Sequence, residues 1–363
     1  MKKVVLFILI FVLNQSSIAQ GLNHNWLVGY WPDPYQKGRL QFDTNSYSYN
    51  YELRKMLFAD TQGNISDSNG NLLMSSNGQW LANSTGDTMQ NGAGLNPNSF
   101  TGTWIHGLPI TNGNIILPYP GDSNKYVLFH QTATFDGVSY PSYNIFYSVI
   151  DMTKDNGLGA VDSLQKNVVA FADTLNWGIS ACRHANGRDW WIIASKHNTS
   201  IFYKILFSIS GIQSITTENL QSPYSVYNNS QINFSVDGTK FIQSTYDSVT
   251  HNSSVSISNF DRCTGMFSNT QNIGITNGQY LWGLAFATSG NFAYASTSAN
   301  IFQINTTTFT VDTVAWYDGF YFPIQGAATT FYMMYLAANG KIYIGSGGSV
   351  QHIHEMNFPD STG

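Results

Sequence analysis

The sequence predicts an all-β fold: a single β-propeller of four-stranded antiparallel blades, with seven blades as the expected number. Three observations lead there. A glycine- or asparagine-marked turn between two apolar-aromatic strands recurs at a spacing near 50 residues. No amphipathic helical stretch runs beyond about ten residues. Of the 21 acidic residues only Glu52, Glu218 and Glu355 are Glu, and the rest are Asp, which suits turns rather than helices.

The first residues carry an address rather than a structural element. Lys2 and Lys3 are followed by an apolar stretch from Val4 to Leu13 and by the small-x-small site Ser17-Ile18-Ala19. This reads as a secretory signal peptide over residues 1–19, too short in its apolar part to span a bilayer core of about 30 Å. The alternative is a retained anchor. The exported chain, residues 20–363, is expected to begin at Gln20, to be a monomer, and to be secreted or held at the outer cell surface. No Cys follows the cleavage site to accept a lipid, and no later apolar run has the length of a transmembrane segment.

Composition narrows the function classes. Hydrophobic residues make up 42% of the 363, aromatics 15% and charged residues only 10%. Such aromatic and β-branched content buries enough apolar surface to exclude disorder. Polarity comes instead from 36 Asn with abundant Ser and Thr, and 32 Gly supply turns. A formal charge of −5 becomes 14 minus 21, or −7, once Lys2 and Lys3 leave with the leader. Nucleic acid is therefore not an expected partner, because phosphate binding needs clustered Lys and Arg.

The repeat units follow in order: SDSNGNLLMSS around Gly70, YPGDSNKYVLFH around Asn124, CRHANGRDWWIIAS around Gly187, FSVDGTKFIQST around Gly238, FATSGNFAYAST around Gly290 and LAANGKIYIGS around Gly340. The last four glycines are 51, 52 and 50 residues apart. The steps from Gly70 to Asn124 and on to Gly187 are 54 and 63, and the loop Phe135 to Pro141 is read as an insertion in the longer one. In each unit one strand enters the turn, as at Gln231–Ser235, Gly283–Ala287 and Met333–Ala337. A second leaves it, as at Lys341–Ile344, and alternating stretches such as Val255–Phe260 and Ile301–Ile304 complete the blade. A sandwich array would need repeats nearer 100 residues, and a β-helix a far shorter period. Strands between Trp26 and Phe42 are expected to close the ring by completing the last blade, giving six or seven blades, seven with one composite or irregular.

The runs SDSNGNLLMSSNGQWLAN, ACRHANGRDWWIIASKH, FSVDGTKF and NFDRCTG resemble secreted β-propeller proteins of Bacteroidetes-type bacteria, over nearly all of the chain from Trp26 on. That resemblance implies a seven-bladed propeller, export across the outer membrane, and a secreted or cell-surface location. It implies no enzyme activity, no cofactor and no catalytic residue. Members of that family usually end in a sorting domain for type IX secretion. Here the sequence stops at Gly363, soon after Gln351-His352-Ile353-His354, with no sorting domain, which leaves open whether it is a fragment and puts type IX export, but not signal-peptide export, in question.

Cys182 and Cys263 stand in an exported chain, where an oxidising compartment permits a disulfide between them. The alternative is one buried thiol on a strand and one thiol in a turn. DTQGNISDSNGN, residues 60–71, has the look of a calcium loop but lacks the closing Glu and is flanked by strands, so it reads as a blade turn. His352 and His354 share a strand face but lack further ligands, so no metal is expected. His184, near Arg183, Arg188 and Asp189, is read as part of a turn network. Asp67, Asp122 and Asp237 beside turn residues, and Asp151, Asp261 and Asp312 at strand ends, suit backbone capping. No G-x-S-x-G elbow occurs. Trp190 and Trp191 adjoin on one strand and must face opposite neighbouring blades.

Aromatic placement points to a binding site. Ten residues before each turn marker lies the start of the strand lining the channel: Asp60, Asn114, Trp177, Asn228, Tyr280 and Thr330. Two residues on lie Ser230, Trp282 and Tyr332. Trp177, Tyr280, Trp282 and Tyr332, with Asn228 among them, are therefore expected at one channel mouth, where stacking rings beside amides suit a glycan or a peptide segment. The alternative is packing of these rings between blades. The function expected is that of a secreted binding or adhesion module without enzymatic activity. A polysaccharide-active hydrolase or lyase on the same scaffold, which would need two facing carboxylates, and a purely structural surface protein are the alternatives.

Overall fold

The structure is a computed structural model that describes residues 23–30, 37–43, 46–220, 231–247, 250–277, 279–324, 326–348 and 350–363. The leader, the expected start at Gln20 and Asn228 lie outside the described residues. Apart from one short helix, Ser99–Thr103, and two single 3-10 turns, the regular structure is strand.

Seven antiparallel sheets of three or four strands follow one another along the described chain, and a two-stranded pair, Tyr321–Phe322 with Ala327–Ala328, lies between the sixth and the seventh in sequence. The first contains Asn25–Val28, Lys37–Phe42 and Tyr47–Glu52. The second contains Gly63–Ser66, Leu72–Ser76, Trp80–Asn83 and Thr88–Ala93. The third contains Asn114–Pro118, Lys125–Gln131, Ser142–Asp151 and Val168–Leu175. The fourth runs from Ser180 to Asn219, the fifth from Ile232 to Asn277 and the sixth from Gly283 to Trp316, each with four strands paired in chain order. The seventh has three: Phe331–Leu336, Ile342–Ser346 and Ile353–Met356. A short strand, Ala160–Val161, bridges the third sheet to the second through one parallel pair, Ala160 with Gln90.

Seven apolar clusters, one between each pair of neighbours, make these sheets a ring. Leu27, Met56 and Leu72 join the first sheet to the second, and Leu81, Met74 and Leu128 the second to the third. Val127, Phe129, Trp190 and Phe207 join the third to the fourth; Trp191, Phe241 and Phe260 the fourth to the fifth. Ile242, Ile257 and Leu284 join the fifth to the sixth, and Tyr294, Met334 and Ile344 the sixth to the seventh. The circle closes where Trp26, Leu40 and Phe42 of the first sheet pack on Ala337 and Tyr343 of the seventh. This is a β-propeller, as the periodicity predicts. Trp190 and Trp191 face opposite neighbours: their indole N–H groups donate to Pro118 and Arg262 carbonyls on either side.

Three local readings change. The strands in Trp26–Phe42 do not complete the last blade; they belong to a sheet of their own, and the closing seam is side-chain packing without a strand pair among the described residues. In the third sheet the left-handed turn residue is Gly121 (φ +76°), not Asn124. Its extra length includes the bridging strand and 3-10 turns of residues 155–165 as well as the 135–141 loop.

The marked turns share one geometry. In the fifth sheet Gly238 N–H donates to the Ser235 carbonyl at 2.8 Å, and Ser235 N–H to the Lys240 carbonyl at 2.9 Å. The same pair of bonds recurs at Asp67/Gly70/Asn71, His184/Gly187/Asp189, Ala287/Gly290/Phe292 and Ala337/Gly340/Lys341. The fourth turn residue sits at φ near +70°, at +70° for Gly238 and +69° for Gly290, which glycine tolerates without a Cβ penalty. Asp67, Asp122, Asp151, Asp237 and Asp261 accept from main-chain N–H groups two residues on, so these carboxylates act as turn caps. His184 takes the Asn186 N–H at Nδ1 and donates from Nε2 to the Cys263 carbonyl, tying two neighbouring turns together. Cys182 is buried on a strand and Cys263 is exposed in a turn, both as free thiols. Burial pushes the Cys182 thiol pKa up.

Candidate functional site

The first strands of neighbouring sheets meet one another, and that of the sixth sheet comes very close to that of the seventh. A Cβ on Gly283 would stand 2.5 Å from the Tyr332 carbonyl oxygen, so only glycine lets the two backbones meet. Ser296 locks the contact by donating to that carbonyl (2.6 Å) while accepting from Gly283 N–H (3.0 Å).

Innermost strands are sheet edges, and their outward N–H groups need partners. Gln231, fully buried just before the first strand of the fifth sheet, supplies one. Its side-chain oxygen accepts from Leu284 N–H at 3.1 Å and Met334 N–H at 2.9 Å, pinning three sheets at one point. Its amide nitrogen has no hydrogen-bond acceptor of normal geometry. That nitrogen lies towards the Tyr335 phenol, on which it acts as a weak donor.

On this frame a row of rings spans three sheets. Tyr246 and Tyr280 centroids are 4.3 Å apart, Tyr280 and Trp282 6.1 Å, and Trp282 and Tyr332 5.3 Å, with interplanar angles of 38°, 50° and 46°. Tyr246 is buried beneath, whereas Tyr280, Trp282 and Tyr332 are each half-buried. At the end of the row the Tyr332 phenol lies beside the Asp60 carboxylate, contributed by the segment leading into the second sheet. Burial raises the Asp60 pKa to about 6 against the opposing effect of the Tyr332 hydroxyl. Burial, and then the Asp60 charge, push the Tyr332 and Tyr335 phenols up. Tyr335 is 41% exposed and yet strongly desolvated.

Of the residues expected at the mouth, the structure brings Tyr280, Trp282 and Tyr332 into one row. Trp177 is half-buried in a different cluster, packed on Leu108, Ile110 and Ala133 beside Phe100 and Trp104, with its indole N–H donating to the Tyr140 carbonyl at 2.7 Å. Asn228 lies outside the described residues. The sequence offset marks Asp60 without assigning it a role, and misses Gln231 and Tyr335. The common ten-residue offset was the signal for Asp60. Gln231 and Tyr335 carried none, because their parts depend on neighbouring sheets.

Elsewhere, His352 and His354 rings lie 4.6 Å apart, and His354 Nε2 donates to the Thr329 carbonyl at 2.8 Å. No group of three or more His, Cys, Asp or Glu side chains placed to hold a metal occurs among the described residues, and no helix among them is long and apolar enough to cross a membrane.

No protein-family model and no curated protein matches the sequence. Solved structures do resemble the fold. The β-propeller domain of Cps50 (Swd1) from Myceliophteria thermophila is 9% identical, with a TM-score of 0.46 over 90% of this chain and 94% of that one. The Dos1 propeller is 13% identical, with a TM-score of 0.44 over 86% and 74%. The extracellular domain of a hybrid two-component system from B. thetaiotaomicron is 10% identical, with a TM-score of 0.43 over 92% of this chain and 38% of that one. Likenesses at this level bear on nothing beyond architecture, which the seven sheets and their ring of apolar clusters establish by themselves.

Proposed function

We propose that this β-propeller is a secreted or cell-surface binding module, of the kind made by Bacteroidetes-type bacteria for export, that takes a glycan or peptide at the mouth of its channel. The reading rests on one observation: Tyr280 and Trp282, in the segment entering the sixth sheet, and Tyr332 on the seventh form a row of partly exposed rings instead of being sealed between blades. Half-buried aromatic rings with polar neighbours combine large contact area with orientation, which is what ligand recognition uses. A binding role is favoured over glycoside hydrolysis because that chemistry needs a pair of carboxylates. The groups that act on Asp60 are burial and the Tyr332 hydroxyl, with no second acid among them.

The test is a glycan and peptide array probed with the purified chain beginning at Gln20. A ligand found there should lose affinity by about 1–3 kcal/mol with Trp282→Ala, while the melting temperature stays within a few degrees. A large stability loss with unchanged binding would return Trp282 to the core. Intact-mass measurement of exported material tests the leader: it should lack residues 1–19, and retention of Met1 rejects cleavage.

A further inference from the structure

We propose that the corner formed by Tyr280, Trp282, Tyr332 and the Asp60 carboxylate binds an ammonium group, primary or methylated, carried by the ligand. This deepens the binding-module reading and rests on it.

The first ground is an uncompensated acid. Other acids of the described chain sit in ion pairs with Lys or Arg: Glu52, Asp87, Asp122, Asp173, Asp189, Glu218 and Glu355. Further ones cap turns at the surface. Asp60 has neither arrangement. The group beside it is a neutral phenol, and it is desolvated by burial, where a lone carboxylate is costly. A cation brought by a ligand supplies the missing counter-charge.

The second ground is the shape of the wall. A flat sugar face stacks best on one ring or on parallel rings, but Trp282 is tilted 46° from Tyr332 and 50° from Tyr280. Tilted faces at centroid separations of 5.3 and 6.1 Å offer no single flat platform and leave several ring faces to a compact, rounded group. A cation within about 6 Å of such faces is held by their negative quadrupoles, and Trp and Tyr are the stronger holders.

The third ground is the sign of the molecule's charge. A chain with 14 basic and 21 acidic residues after the leader steers cations rather than anions.

The experiment compares choline with its neutral isostere 3,3-dimethylbutan-1-ol, by calorimetry and ligand-observed NMR, on the whole exported chain. Choline should bind saturably and at least about tenfold more tightly than the isostere. Asp60→Asn should abolish that preference, weakening choline by about tenfold or more and leaving the isostere unchanged. Equal affinities for the two probes, an unchanged choline affinity in Asp60→Asn, or no saturable choline binding up to about 50 mM would overturn the assignment. The parent reading fails separately. An array ligand that responds to Trp282→Ala but not to Asp60→Asn keeps the mouth as a binding site without an ammonium subsite. If no array ligand responds to Trp282→Ala, both readings fall.

Discussion

Gly283 has the Tyr332 carbonyl oxygen where its own side chain would begin, 2.5 Å from an ideal Cβ, with Met334 N–H 2.8 Å away on the same strand. Both obstacles are backbone, so neither can swing aside. Gly283→Ala should therefore push the sixth and seventh sheets apart and destabilise by about 2–4 kcal/mol, at or above the usual range for overpacking. Urea unfolding checks it. A midpoint equal to the parent's would mean that the two strands are not in contact at this position.

Gly238 and Gly290 share a backbone conformation but not a neighbourhood, so alanine should separate the two effects. Both substitutions carry strain of about 1 kcal/mol for a side chain at positive φ. At Gly238 the new Cβ would also stand 2.9 Å from Arg262 Cδ and 3.1 Å from Cys182 Cβ, whereas at Gly290 the nearest atom is 3.6 Å away. Gly238→Ala should cost more than Gly290→Ala by roughly 1 kcal/mol, and Gly238→Val about 1–3 kcal/mol in all. Thermal melts showing the reverse order would reject the shared turn register.

Two buried groups set opposite pH dependences. His130 is fully buried between Asn96 Oδ1 and Ser148 Oγ, and burial lowers its pKa to about 3. Its contribution is intact above the ordinary His value of 6.5 and is lost as pH falls from there towards 3, by roughly 3 kcal/mol at pH 4. Asp60 works the other way. With its pKa raised from 3.8 to about 6, the folded state is penalised when Asp60 ionises, and relieved as pH drops from 6 to 4. Its partial exposure reduces this to about 1–2 kcal/mol. The net expectation is acid destabilisation governed by His130. Asp60→Asn should be more stable than the parent at pH 7.5, with the advantage gone near pH 4. Denaturant midpoints at both pH values decide it, and an advantage independent of pH counts against a buried charge.

Arg54 holds the first sheet to the segment that leaves it. Its guanidinium donates to the carbonyls of Val28 (2.9 Å), Met56 (3.2 Å) and Gly38 (3.4 Å) and pairs with Glu52. Arg54→Met would leave those carbonyls without their donor and Glu52 with Arg39 as its remaining partner, for a loss of about 3–5 kcal/mol. Arg54→Lys should rescue little, since one ammonium cannot match a planar fork of donors. Hydrogen exchange should locate the damage in Lys37–Phe42 and Tyr47–Glu52. Protection that falls evenly around the ring would contradict a local role.

Much of the architecture was legible because its grammar is local. A turn that needs positive φ announces itself as Gly238 or Gly290, and two adjacent tryptophans on one strand must serve two neighbouring sheets. The first sheet was misread for the same reason: it carries no marked turn, so its strands looked like supplements to another blade. At Asn124 an extra residue moves the left-handed position to Gly121. In the site, a constant offset from the turn fixes height along the channel but not position around it. Tyr280, Trp282 and Tyr332 stand on adjoining sheets and meet, whereas Trp177, at the same offset, opens the fourth sheet and finds Ile110 and Ala133 instead. Asp60 and Tyr332 lie 272 positions apart, and only closure of the ring makes them partners.

That closure has a mechanical consequence. A ring whose last sheet borrows a strand from the other end is buckled, and opening it means tearing a ladder of hydrogen bonds one rung after another. Here Trp26 and Phe42 rest against Tyr343 with ring centroids 5.7 and 5.2 Å away, and among the described residues no backbone rung crosses the line between them. Such a clasp yields to water entering a single greasy joint. The first large fluctuation expected of the molecule is then a gap at that joint, which turns the disc into a crescent. Asp60 and Tyr332 belong to sheets on either side of the gap. Anything that holds those two residues together, a bound ligand included, fastens the clasp.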